Sequence, residues 1–111
     1  MRKLISLLVA TAFFIQPLLA ESFDDVPVID VKCAARDKSN PDVHTKTCSL
    51  QCQKSGFGIL TQDGRFLKFD TNGNERMVEL LKGTQKTDHF RVKVSGSIDG
   101  ELLKVQSLSL L

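Results

Sequence analysis

The second half of the sequence consists of short segments in which apolar and polar residues alternate, separated by glycine-containing turns. Alternation of this kind is typical of strands with one buried face, and an Asp-Gly turn favours a hairpin. Two pairs of segments each flank such a turn: 57–61 and 65–70 around Asp63-Gly64, and 89–95 and 101–108 around Asp99-Gly100. The sequence therefore predicts two hairpins, with helices only as connections between strands.

The first half of the chain predicts one strand and one cysteine-bearing helix. Residues 28–33 alternate loosely and are expected to form the first strand, and the polar residues 34–40 are expected to form a loop. A helix is expected over residues 41–54, because Asn40 suits the cap before it and Gly56 suits the turn after it. Its many Thr and Ser residues give it a weak intrinsic propensity.

A second, two-turn helix is expected over residues 75–82, capped by Asn72 or Asn74. The predicted order of elements is strand, helix, strand, strand, helix, strand, strand. Apart from the first helix, this is the order of a five-stranded Greek-key barrel of the OB type. The expected fold is therefore all-β with minor α, a small five-stranded OB-like barrel. The cysteine-bearing helix lies between strands 1 and 2, and the short helix lies between strands 3 and 4.

The N-terminus has the pattern of a secretory signal peptide. Residues 1–3 are basic, residues 4–15 are apolar, and Ala20 offers a small residue before a cleavage point. The sequence thus predicts a signal peptide over 1–20, a flexible lead-in over 21–27 and a single domain over 28–111. We expect a periplasmic or secreted protein without a membrane anchor.

The charge of the chain argues against a nucleic acid as the partner. It has 15 basic and 13 acidic side chains, and removal of the signal peptide would take away two of the basic ones, Arg2 and Lys3. A balanced charge does not favour binding to the phosphates of a nucleic acid. The expected partners are instead a metal ion or another envelope protein.

The residues best suited to chemistry are Cys33, His44, Cys48 and Cys52. On a continuous helix the last three, spaced four apart, would form one stripe. One interpretation is a disulfide from Cys33 to Cys48 or Cys52, which closes a loop of about 15–20 residues and contributes about 3 kcal/mol. The third thiol then stays free or links two chains, so that the protein is a monomer or a thiol-linked dimer. On this interpretation, replacing His44 by Ala changes stability little.

Two alternatives use the same residues differently. As three sulfurs and one nitrogen, Cys33, His44, Cys48 and Cys52 form a tetrahedral set suited to zinc, and copper(I) would also accept the thiolates. A third interpretation is a thiol redox protein in which His44 serves Cys48 as a base, although the chain has no Cys-x-x-Cys motif.

The chain resembles a group of short exported bacterial OB-like proteins that have no established activity, over most of residues 30–108. The resemblance rests on these residues and motifs: Cys33, His44, Cys48-x-x-x-Cys52, Lys54-Ser55-Gly56-Phe57-Gly58, Asp63-Gly64, Lys68-Phe69-Asp70, Gly73-Asn74 and Val94-Ser95-Gly96-x-x-Asp99-Gly100. It implies an OB-like fold and an exported location, and it brings no catalytic residues. We therefore expect a non-enzymatic binding or structural module whose Cys/His patch is stabilised by a disulfide, with metal handling and thiol redox chemistry as the alternatives.

Overall fold

Five strands form a closed barrel in the computed structural model, which describes residues 20–111. The strands are β1 (Ala20–Asp30), β2 (Phe57–Leu60), β3 (Phe66–Phe69), β4 (Arg91–Asp99) and β5 (Leu102–Leu110). They are hydrogen-bonded in the order β1-β2-β3-β5-β4, and β4 pairs with β1 to close the ring. All pairs are antiparallel except β3 and β5, which are parallel. The prediction of a small, mostly β, five-stranded barrel is confirmed.

Three short α-helices connect the strands. Between β1 and β2 lie α1 (Val31–Asp37) and α2 (Lys46–Gln51), together with 3-10 turns at Pro41–Val43 and Gln53–Ser55. Between β3 and β4 lies α3 (Thr71–Gly83). None of the helices within residues 20–111 is long and apolar enough to cross a membrane.

The first strand pairs with two neighbouring strands. Residues 20–27 of β1 pair with β4, and residues 28–30 pair with β2, with a register shift between Phe23 and Val26. Residues 21–27, expected to form a flexible lead-in, lie in β1, and residues 21–23, 26 and 27 pair with β4. The predicted signal peptide lies outside the described residues except for Ala20.

The barrel interior holds the apolar side chains of the alternating segments. From α3, Met77 and Leu81 are buried with them. Burial of such side chains is the main favourable term in the folding of a small domain. The core consists of Val26, Val28, Phe57, Ile59, Leu67, Phe69, Met77, Leu81, Phe90, Val92, Val94, Leu103 and Val105.

The helix α3 begins earlier than predicted, because its cap is Asp70 and not Asn72 or Asn74. The Asp70 carboxylate accepts the backbone N–H of Gly73 at 3.0 Å and that of Val105 at 3.2 Å. This caps the helix and ties it to β5. The side chain of Asn74 instead accepts the Phe57 N–H at 2.8 Å, so it fixes the helix to the start of β2.

The segment between β1 and β2 differs most from the prediction. The strand expected over 28–33 ends at Asp30, and α1 occupies much of the expected loop 34–40. The helix expected over 41–54 is interrupted at His44, whose backbone is extended (φ −69°, ψ 123°). The cause is side-chain capping: the hydroxyl of Thr45 accepts the Cys48 N–H at 3.2 Å and starts α2 afresh.

We expect Gly96→Ala to lower the free energy of unfolding by about 1–3 kcal/mol, the usual range for overpacking. A Cβ atom at Gly96, on β4, would overlap the backbone carbonyl oxygen of Lys104 on β5. The matched control is Gly83→Ala, where a Cβ atom meets nothing within 4 Å. Urea unfolding followed by circular dichroism measures both, because the chain has no Trp or Tyr for fluorescence. Equal stability of the two variants would contradict the tight contact of β4 and β5 at this position.

Candidate metal centre

A buried aspartate lies at the junction of β1 and α1. Asp30 is the last residue of β1, is 0% exposed, and pairs in register with Phe57 of β2. Its Oδ2 accepts the backbone N–H of Cys33 at 3.0 Å and thereby caps α1. Asp30 is not among the residues that the sequence marks as suited to chemistry. The available signal was its residue type. Asp is a common helix cap, and a cap accepts the backbone N–H of a residue up to three positions on, here Cys33.

The imidazole of His44 lies between two carboxylates. Its Nδ1 is 2.8 Å from Oδ2 of Asp37, near the end of α1, and its Nε2 contacts Oδ1 of Asp30. The residue is only 3% exposed. A neutral imidazole has one N–H, so it can donate a hydrogen bond to only one of the two carboxylates.

Asp30 and His44 are in direct contact through one side-chain atom each. Oδ1 of Asp30 and Nε2 of His44 touch, but they do not form a hydrogen bond of acceptable geometry. Within residues 20–111 they are the two buried side-chain atoms that have no hydrogen-bond partner. Buried polar groups without a partner are costly and rare in stable proteins. The two atoms are already in direct contact, so the pair is a place where a cation would be stabilised, and a metal ion bound by both would require them to move apart.

Two sulfur atoms lie beside this pair. Donor atoms of Asp30, Cys33 and Cys52 lie within 4.8 Å of one another, and so do donor atoms of Cys33, Asp37 and His44. Cys33, which is buried, belongs to both groups. The structure thus gathers sulfur, nitrogen and carboxylate oxygen donors around the end of β1.

Three of the four predicted ligands belong to these two groups, with Cys33 in both, Cys52 in one and His44 in the other. Cys48 belongs to neither group of donor atoms within the described residues. The single helical stripe expected for His44, Cys48 and Cys52 does not form, because His44 precedes α2 and Cys52 follows its last residue. Asp30, which was not among the predicted ligands, lies in the group with Cys33 and Cys52.

The electrostatics of Cys33 disfavour a reactive thiolate. Burial, a hydrogen bond to Asp30 and the negative charge of Asp30 raise the pKa of the Cys33 thiol to about 11, against the smaller opposing effect of Arg36. The thiol is therefore protonated at neutral pH in the absence of a metal ion. All three cysteines are free thiols in the structure.

Asp37 is held as a carboxylate beside His44. The main cause is the hydrogen bond from Arg36, 3.1 Å from Nε to Oδ1, which lowers the pKa of Asp37. Burial opposes this effect, and the hydrogen bond from His44 adds to it. An ionised Asp37 orients the ring so that Nε2 faces Asp30, the arrangement that carboxylates give to metal-binding histidines.

We expect His44→Ala to lower the free energy of unfolding by about 3–5 kcal/mol, because it removes the side chain that contacts Oδ1 of the buried Asp30 carboxylate and leaves only the Cys33 N–H on Oδ2. This replaces the expectation that His44 matters little. The control is His89→Ala, since the side chain of His89 is 66% exposed and pairs with Asp88 at the surface. It should change stability by less than about 0.5 kcal/mol. Urea unfolding in the presence of a chelator measures the free energy of unfolding of both variants. Equal losses of stability in the two would contradict a stabilising contact between His44 and Asp30.

In the metal-free protein we expect Cys33 to react with iodoacetamide more slowly than Cys48. Cys33 is buried with a pKa of about 11, whereas Cys48 is half-buried. Alkylation at neutral pH, followed over time by peptide mass, gives the order. If Cys33 were modified first, it would be an activated nucleophile, and a thiol redox role would gain support.

Comparison with known proteins assigns no role to this patch. No family model matches the chain, and no curated protein or solved structure matches it. The arrangement of Asp30, Cys33, His44 and Cys52 is therefore the basis on which a function is proposed.

Proposed function

We propose that this protein is a non-enzymatic, exported module, an OB-like barrel that binds one zinc ion through Cys33, Cys52, His44 and Asp30. The observation that carries the proposal is the buried contact of Asp30 with His44 beside the sulfurs of Cys33 and Cys52. A cation placed among these four atoms gives each of them a partner.

The OB-like assignment is supported by the connections as well as the number of strands. The closed order β1-β2-β3-β5-β4, the parallel contact of β3 with β5 and the position of α3 between β3 and β4 are features of that type of barrel. The exported location is proposed from the basic and apolar pattern of residues 1–20.

The donor chemistry favours zinc. Two sulfurs, one imidazole nitrogen and one carboxylate oxygen are ligands that zinc accepts in a tetrahedral site, whereas calcium and magnesium prefer oxygen alone. In such a site neighbouring donors lie roughly 3–4 Å apart. The donors of Asp30, Cys33 and Cys52 are already within 4.8 Å of one another, and His44 contacts Asp30, so side-chain rotations would have to bring His44 and Cys52 to the same ion. Copper(I) is the competing ion, because it is satisfied by thiolates.

The number of protein ligands favours a structural ion over a catalytic one. Structural zinc sites have four protein ligands, whereas catalytic ones keep a position open for water. The four proposed ligands come from the end of β1, from α1, from the extended residue His44 and from the end of α2. The ion would therefore join the separate pieces of residues 31–56, whose helices are too short to be stable alone. A closed site also favours a structural role over metal delivery.

The first test is metal content and affinity. We expect the purified protein to bind one zinc ion per chain, measured by native mass spectrometry and elemental analysis. Cys33→Ser and Cys52→Ser should each weaken binding at least tenfold in competition with a chelator, because a hydroxyl is a poor substitute for a thiolate. Removal of the ion should lower the midpoint of thermal unfolding.

The matched control is Cys48→Ser, which removes a cysteine outside both groups of donor atoms. It should bind zinc as tightly as the unmodified protein. Equal weakening by Cys48→Ser would restore the ligand set of three cysteines and His44. A protein that takes up neither zinc nor copper(I) when all three thiols are reduced would overturn the proposal.

A further inference from the structure

We propose that Cys33 and Cys52 are also an oxidisable pair, so that disulfide exchange joins their sulfur atoms and releases the metal ion. The release rests on the proposed zinc site, whereas the identity of the pair rests on the positions of the two cysteines alone. The same two residues then crosslink the chain in either state, through an ion or through a covalent bond.

The geometry selects this pair among the three cysteines. The Sγ atoms of Cys33 and Cys52 lie within 4.8 Å of each other, and Cys48 has no place in either group of neighbouring donors. A disulfide needs a sulfur–sulfur distance of about 2.05 Å, so the atoms must approach by rotation of their side chains. Cys52 lies at the boundary between α2 and a 3-10 turn, where no regular helix holds its neighbours on both sides.

Exposure sets the order of the two steps. Cys52 is half-buried, whereas Cys33 is 9% exposed, so an incoming disulfide reaches Cys52 first. The Cys52 thiolate attacks one sulfur of a small disulfide, R–S–S–R, and expels one thiolate, RS⁻. The Cys33 thiolate then attacks the Cys52 sulfur, expels the second RS⁻ and closes the protein disulfide.

The same reaction explains why the metal ion is released. Two protein thiolates lose two electrons in total, and the incoming disulfide gains them and leaves as two thiols after taking two protons from water. With both sulfur ligands in a covalent bond, the ion keeps only His44 and Asp30 and departs as Zn²⁺. His44 and Asp30 then face each other again, as the structure shows them.

The experiment treats the zinc-loaded protein with an excess of oxidised glutathione. Released zinc is followed with a chromophoric indicator, and intact mass is taken at each time point. We expect one zinc ion released per chain that becomes 2 Da lighter. Trypsin leaves Cys48 and Cys52 in one peptide, since no Lys or Arg separates them. The Cys48→Ser variant therefore identifies the partner of Cys33, and it should release zinc at the unchanged rate.

The outcomes separate this inference from the proposed function. If zinc binds with the expected stoichiometry but stays bound under oxidised glutathione, the inference is overturned and the zinc site stands. If no metal binds and Cys33 still forms a disulfide with Cys52 in Cys48→Ser, the pair is supported and the zinc site fails. A crosslink from Cys33 to Cys48 that is lost in Cys48→Ser would overturn the pair.

Discussion

The carboxylate of Asp30 is the group on which the arrangement around it depends. It ends β1 in register with β2, its Oδ2 starts α1 by accepting the Cys33 N–H, and its Oδ1 contacts His44. A fully buried carboxylate is tolerated only where cations or hydrogen-bond donors surround it. The groups that surround it are the Cys33 N–H at the start of α1, the side chain of His44 and the two nearby sulfurs. Barrel and candidate site are thus joined through one side chain.

The strand-rich second half could be predicted because its signals are local and redundant. Alternation and an Asp-Gly turn agree at each hairpin, so β2 through β5 lie close to the expected segments. The first half has the opposite character. The start of each short helix depends on which side chain caps it. Asp30 and Thr45 each accept a backbone N–H at a point where the sequence predicted that a longer strand or helix continues. That competition is decided by tertiary contacts, which spacing alone does not contain.

For the same reason, only part of the candidate site could be predicted from the sequence. Cysteine and histidine are conspicuous by type, so Cys33, His44 and Cys52 could be selected from the sequence. Asp30 is one of many acids, and only its complete burial distinguishes it. Cys48 was included because a continuous helix would have aligned it with Cys52. Once the helix is broken after His44, a spacing of four residues no longer implies a shared face.

The pairing of β1 with β4 has a consequence for the order in which the chain assembles. Ala20 pairs with Ser97, so the ring closes only after nearly the whole chain is present. Contacts this distant in sequence are slow to form, because loop closure precedes any gain from them. Residues 30–52, by contrast, are close in sequence and meet at a small entropic cost. We expect the contact of β1 with β4 to form last, so that the rate of folding is set by closure of the ring.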